Sequence, residues 1–239
     1  GIGELLAVLD DSVALIVLEP TAGHEKPVMR ALQQAGLPVA CVHAGKIRAY
    51  AHSLGILAKT DKLDARVLAD YAARVRPTPN PVSTDEQQRL RSLVKRQRQL
   101  TRQLIQEKGA LEHMDEPDLV AGIRESIAAL QARCEDIARM IRAHIASDIA
   151  MARRMEVLRS CKGVGPVTAA VLMADMPELG TIDNRKAKAL GGLAPMNRDS
   201  GQRQGRRYIA GGRPNVRQCM YQAILSAHRY NPDIKAHYE

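Results

Sequence analysis

SVALIVLEPTAGHEKPVMRALQQAGLPVACVHA, residues 12–44, decides the fold class of the N-terminal part of the chain. SVALIVLEP (12–20) is a short, continuous apolar run, the pattern of a strand buried on both faces. TAG (21–23) turns the chain, and EKPVMRALQQAG reads as a helix closed by Gly36. LPVACVHA (37–44) is a second buried strand. This β-α-β rhythm predicts a mostly parallel sheet with helices packed on it.

Upstream, Ile2, Leu5, Leu6 and Leu9 have helical spacing. Downstream, KIRAYAHSLG reads as a short helix closed by Gly55, and KTDKLDARVLADYAARV as a longer one with Thr60 as its N-cap. RPTPNPVS (76–83) then carries Pro77, Pro79 and Pro81, a stiff stretch that marks a boundary. The first expected domain is therefore 1–82.

Residues 83–146 change period. Leu90, Leu93, Gln97, Leu100, Leu104, Glu107 and Leu111 step by three and four with two polar breaks. Val120, Ile123, Ile127, Leu130, Cys134, Ile137, Ile141 and His144 keep the stepping. This is a coiled-coil-like seam, and DEPD (115–118) is the turn of an antiparallel helical hairpin. The arginines and lysine on the first helix (Arg89, Arg91, Lys95, Arg96, Arg98, Arg102) read first as a solvated face, and second as a face that tracks phosphates.

From 147 to 239 the chain is helical again, and two stretches stand out. CKGVGPVTAAVLMADM (161–176) has the form of a helix-hairpin-helix unit. The backbone N–H groups around Lys162, Gly163 and Gly165 would cradle a phosphate where the second helix begins. NRDSGQRQGRRYIAGGR (197–213) sets one serine, Ser200, among five arginines. Residues 181–217 hold nine Lys or Arg against two acids, Asp183 and Asp199, so much of the chain's excess of positive charge lies here.

The bulk numbers agree with a nucleic-acid partner. The chain has 239 residues, 45% of them hydrophobic, and a formal net charge of +9 with a pI near 9.6. No Phe or Trp occurs and only six Tyr, so base stacking has little to work with and phosphate contacts should dominate. Cys41, Cys134, Cys161 and Cys219 form no CxxC pair and are expected as buried, reduced thiols. No apolar run would span a bilayer and no secretory signal is present, so a cytoplasmic protein with no membrane partner is the expectation.

Three carboxylates have positions that suit a hard cation. Glu19 ends the first strand, where ligands of α/β sheets gather. Asp61 and Asp64 are three apart at a helix start, on one face and favoured by the helix dipole. Together they can hold Mg²⁺, which prefers oxygen ligands, and metal-assisted phosphodiester transfer follows from that. Each also has an ordinary reading, as a first-turn acid or a strand-end cap.

LEPTAGHE (18–25), AKTDKLDARVLA (58–69), GVGPVTAA (163–170) and GGLAPMNRDSGQRQGRR (191–207) follow in that order. Together they resemble the DEDD transposases of the insertion-sequence-110 family, the bridge-RNA-guided serine recombinases, and the related Piv-type DNA invertases. The likeness covers nearly the whole chain. It implies an α/β plus all-α architecture. An RNase H-like (RuvC-like) domain over 1–82 is followed by a coiled-coil hairpin over 83–146. A helical transposase domain over 147–239 carries the helix-hairpin-helix and the serine loop. It further implies that Glu19, Asp61 and Asp64 are Mg²⁺ ligands. Ser200 would be the nucleophile of a covalent phosphoserine link, and a guide (bridge) RNA would choose donor and target DNA. The active site would be assembled between protomers of a homodimer or dimer of dimers.

On this resemblance Arg198, Arg203, Arg206, Arg207, Arg213 and Arg217 are expected to contact nucleic acid, with Gly201 and Gly205 letting the backbone approach it. The family's first carboxylate lies on an opening strand for which this chain has no counterpart, and Asp10 and Asp11 are poor substitutes. The chain also stops short of the family's helical C-terminus. A product truncated at both ends, inactive or weakly active, with a recombinase as its longer parent, is the expectation. Two other functions compete. One is a Mg²⁺-dependent junction resolvase or nuclease that uses water and forms no covalent intermediate. The other is a non-catalytic nucleic-acid-binding protein in which Ser200 is only a turn residue after Asp199.

Overall fold

The computed structural model describes residues 1–10, 12–201 and 204–238. These form two compact units, Gly1–Ser83 and Thr84–Glu239. The expected hairpin and C-terminal region both belong to the second unit.

In the first unit, helix α1 (Ile2–Ala7) is followed by β1 (Ile16–Leu18), α2 (Glu25–Gln34), β2 (Val39–Cys41), α3 (Ala44–Ser53) and α4 (Asp61–Val75). β1 and β2 pair in parallel with Ile16 opposite Val39 and Leu18 opposite Cys41. The β-α-β order is therefore as expected, but the sheet has only these two strands among the described residues. Each strand spans three residues, well short of the apolar runs 12–20 and 37–44. An apolar run reports burial, whereas a strand also needs a hydrogen-bonding neighbour. β1 is half-buried along its length, while Val39 and Ala40 of β2 are buried.

β2 owes that burial partly to the proline-rich stretch. Asn80 donates its backbone N–H to the Val39 carbonyl at 2.7 Å, and its side-chain Oδ1 accepts from the Cys41 N–H at 2.5 Å. Gln33 Nε2 donates to the Asn80 carbonyl at 3.1 Å. Residues 76–83 thus close the open edge of β2 rather than running free as a linker. The core beneath joins Ala40, Val42, Ile47, Ala51, Val67 and Tyr71. Tyr50 packs edge-on to Tyr71 at 5.2 Å between centroids, and its hydroxyl donates to Asp70 at 2.6 Å.

Among the described residues the second unit is helical except for one short antiparallel strand pair. Thr84 caps α5 (Asp85–Glu112) by accepting the Gln87 N–H at 3.1 Å. α6 (Pro117–Ala146) begins with Pro at its first turn, where a missing N–H costs nothing. The two pack as the expected hairpin, with Leu90, Leu93, Val94, Ile141 and Ile145 buried at its base. Towards the turn the seam is only half-buried, and Ile105 and Leu119 are exposed.

α7 (Ile149–Ser160) leads into α8 (Pro166–Asp175), where Ala169 to Ala174 are all buried. A helix apolar on every side must be enclosed by others, and the alanines let those neighbours come close. Its terminal carbonyls still need donors. Gln87 Nε2 donates to Met173 O at 2.8 Å and Arg91 Nε to Ala174 O at 2.9 Å. Arg213 donates to Asp175 O at 2.8 Å, and Arg154 to Pro177 O at 2.8 Å and Leu179 O at 2.9 Å.

α9 (Asn184–Gly191), β3 (Pro195–Met196), β4 (Tyr208–Ile209), α10 (Pro214–Tyr230) and α11 (Pro232–Tyr238) complete the chain. All four cysteines are free, as expected. They are less buried than expected: Cys161 is exposed and the other three are half-buried. Among the described residues no helix is long and apolar enough to cross a membrane.

Candidate nucleic-acid and catalytic site

Ser200 sits in the loop between β3 and β4. The strands pair with Pro195 opposite Ile209 and Met196 opposite Tyr208, so the loop leaves and returns at one place. Asp199 Oδ1 accepts the Gly205 N–H at 3.1 Å, pinching the loop shut around Ser200. At Gly205 a Cβ would lie 2.2 Å from the Arg198 carbonyl oxygen, so only glycine fits. Arg198 lies over the Tyr208 ring with its guanidinium carbon 4.8 Å from the centroid. A cavity of about 430 Å³ is lined by Arg198, Ser200, Gly205, Arg206 and Tyr208. Its lining residues carry one aliphatic hydroxyl, one phenol and two guanidinium groups, with no carboxylate among them. That is a setting for a phosphate.

The loop's far end is anchored. A Cβ on Gly212, whose φ is +71°, would lie 2.2 Å from Gly192 Cα, so the chain after β4 lies directly on the end of α9. Arg213 donates its N–H to Leu190 O at 2.8 Å. The Arg213 side chain grips both oxygens of Glu178 at 2.7 and 2.8 Å, which holds the Glu178 carboxyl below the usual glutamate range. Arg213 thus directs three side-chain hydrogen bonds into the fold, to Asp175 O and the two Glu178 oxygens. Arg217 donates to Gly211 O at 3.1 Å. Arg206 and Arg207 are exposed, and Arg203 lies outside the described residues.

A tight turn joins α7 to α8. Val164 N–H bonds to Cys161 O at 3.0 Å, and Gly165 caps α8 with no side chain in the way. Gly163 has φ +101°, and a Cβ there would lie 2.4 Å from the Ala227 Cβ on α10. Asn231 Nδ2 donates to the Lys162 carbonyl at 3.2 Å, while the Lys162 side chain is exposed.

The carboxylates lie in the first unit. Glu19 follows β1 directly, and α4, which packs on β1, carries Asp61 and Asp64 in its first turn. Thr60 caps α4 as expected, accepting the Leu63 N–H at 3.2 Å. Among the described residues none of the three carboxylates has a side-chain hydrogen bond or ion pair. The donors are of the right chemistry for a hard cation. Yet no three His, Cys, Asp or Glu side chains gather into a ligand set among the described residues. Asp10 is occupied in a turn, accepting the Ser12 N–H at 2.9 Å, and Asp11 lies outside the described residues.

Glu25 is a further structured carboxylate beside this group. Its Oε2 accepts the Thr21 N–H at 2.8 Å and the Gly23 N–H at 2.9 Å, folding the loop that follows Glu19. Bonds from its own backbone amide and that of Thr21 hold its carboxyl below the usual range. The signal is local: an acid four residues after a threonine and two after a Gly in a turn. Tyr208 and Glu178 carried no comparable local signal.

Two family models match the chain. One, a transposase model of the DEDD IS110 kind, matches residues 2–114. The other, described as the transposase IS116/IS110/IS902 family, matches residues 155–239. Domains of the DEDD kind generally use divalent metal ions. A pilin gene-inverting protein of Moraxella bovis is 29% identical over 170 residues, 68% of this chain and 51% of that protein. A pilin gene-inverting protein of Moraxella lacunata is 43% identical over 70 residues, 29% of this chain and 22% of that protein. The chain thus spans at most about half the length of these relatives in the matched regions. With one family matched over both its N-terminal and C-terminal parts, the chain belongs to the IS110-type transposases.

Proposed function

We propose that the chain is part of the transposase of a bacterial insertion sequence, which carries out DNA strand exchange with Ser200 as nucleophile. The observation that carries this reading is the Ser200 hydroxyl in a cavity walled by Arg198 and Arg206, within a loop closed by the Asp199–Gly205 bond. Relatives whose names describe gene inversion support a rearrangement of DNA rather than its degradation.

In this reading the Ser200 Oγ forms a bond to phosphorus while one phosphodiester P–O bond breaks. The serine gives up its proton and the released strand end takes one up. One phosphate ester replaces another, so a hydroxyl of a different strand can reverse the step without added energy. Arg198 and Arg206 hold the phosphate and stabilise the charge that grows on it. Arg207 and Lys162 contact the DNA on either side.

Glu19, Asp61 and Asp64, which form no ligand set among the described residues, would have to draw together to hold Mg²⁺, whose contribution when bound is Lewis-acid polarisation of a phosphate oxygen. A guide RNA selects donor and target DNA, bound through phosphates by the exposed cations. A homodimer or dimer of dimers forms through the half-buried outer seam of the α5–α6 hairpin. The protein works in the bacterial cytoplasm.

The test is a plasmid recombination assay in cells supplying the RNA. Wild type should give recombinant product, and Ser200→Ala none. Product from Ser200→Ala that still depends on Asp61 would favour a metal-dependent resolvase instead.

A further inference from the structure

We infer that Tyr208 is a positioning residue for the proposed reaction, holding Arg198 over the phosphate that Ser200 attacks. This rests on reading Ser200 as the nucleophile.

An exposed arginine samples many rotamers, and a free guanidinium at a loop tip would be a poor fixed ligand. Arg198 is fixed at both ends. Its backbone carbonyl is pressed against Gly205, where a Cβ would come within 2.2 Å. Its guanidinium rests on the Tyr208 ring, 4.8 Å from the centroid. Tyr208 is itself held by the strand pair, opposite Met196. The ring therefore belongs to the strand-paired base of the loop, and the cation to the segment that leads from it to Ser200.

The ring is 42% exposed, and among the described residues its hydroxyl has no hydrogen-bond partner. The chain holds no Phe or Trp and only six Tyr, so an aromatic ring at the rim of the serine cavity is not incidental filler. It is the π face, not the phenol, that acts. The ring face attracts the cation while leaving its N–H donors free, in the plane of the guanidinium, for phosphate oxygens.

This separates two substitutions that would otherwise look alike. Tyr208→Phe keeps the face and loses only the hydroxyl. Tyr208→Leu keeps apolar bulk and loses the face. Purified protein is titrated with a fluorescent DNA duplex, and covalent protein–DNA adduct is followed over time with Mg²⁺ and guide RNA. Both measurements are repeated in an Arg198→Ala background, and thermal unfolding is recorded for every variant.

Tyr208→Phe should match wild type. Tyr208→Leu should weaken DNA binding and slow adduct formation by about two- to fivefold, with an unchanged Tm. In Arg198→Ala protein, Tyr208→Leu should have no further effect, because the ring acts through that arginine. Equal loss in Phe and Leu variants, or full additivity with Arg198→Ala, would overturn the assignment. Adduct formed equally by wild type and Tyr208→Leu would overturn it while leaving Ser200 as nucleophile. DNA binding that follows this pattern with no adduct in any variant would instead remove Ser200 from the chemistry.

Discussion

Asp199 accepts the backbone N–H of Gly205 at 3.1 Å, across the loop that carries Ser200. The carboxylate next to the serine in sequence is thereby engaged in shaping the loop. The opposite charges around the serine hydroxyl are left to Arg198 and Arg206. A loop rich in arginine would repel itself if nothing tied it, and this bond, with the strand pair below it, is the tie.

Gly205 is where that tie is most sensitive. Alanine there would place a Cβ 2.2 Å from the Arg198 carbonyl, so the backbone must move and carry Arg198 with it. Gly205→Ala should lower the rate of covalent adduct formation on the order of a hundredfold. Thermal stability should change by less than about 0.5 kcal/mol, since the loop is exposed. The two are read by a time course on a denaturing gel and by a melting curve.

Gly163 makes the opposite prediction. Its φ is +101°, and a Cβ would lie 2.4 Å from that of Ala227, so substitution strains the turn and pushes α10 away. Gly163→Ala should destabilise the protein by about 2 kcal/mol or more. Adding Ala227→Gly removes the 2.4 Å contact but leaves one of 2.8 Å to the residue 227 Cα, so the double variant should lose less than the sum of the two single losses yet stay below wild type. Chemical denaturation of the four proteins measures this.

The Arg213–Glu178 pair sets an acid limit. Hydrogen bonds from Arg213 hold the folded-state Glu178 carboxyl below its ordinary value of 4.5. Its contribution to stability is present above that ordinary value and is lost as pH falls through the depressed one. Tm should drop below about pH 4.5. Glu178→Gln should be less stable than wild type at neutral pH, with a shallower acid drop. Melting curves from pH 3 to pH 7 test the sign.

Asn80 tests the edge of β2. Its Oδ1 accepts the Cys41 N–H at 2.5 Å, so Asn80→Ala leaves a half-buried donor without its partner. The expected loss is about 1–2 kcal/mol. Hydrogen exchange should speed up at the Cys41 amide, with the amides of α8 unaffected.

These contacts also show what the sequence could and could not convey. α2 at Glu25–Gln34 and the Thr60 cap of α4 were legible because helix period and capping act over a few residues. So was the arginine-dense serine loop. The apolar run at β1 spans nine residues and the strand covers three, because apolar runs do not name their hydrogen-bonding neighbours. Arg213 was expected to meet nucleic acid, and its partner Glu178 lies 35 positions away, beyond any local pattern. Asn80 reaches back 39 positions to Cys41 in the same way. The carboxylates Glu19, Asp61 and Asp64 were picked out by their places at a strand end and a helix start. Sequence spacing, though, does not fix how far apart their oxygens stand.

The most direct measurement is capture of the serine–DNA bond. Protein is incubated with Mg²⁺, co-expressed RNA and labelled DNA nicked near the exchange site. Denatured products are run on a gel, and any adduct is digested and mapped by mass spectrometry. The account predicts a protease-sensitive adduct whose DNA phosphate is attached to Ser200, absent from Ser200→Ala. Cleaved DNA without an adduct, or an adduct that persists in Ser200→Ala, would contradict it.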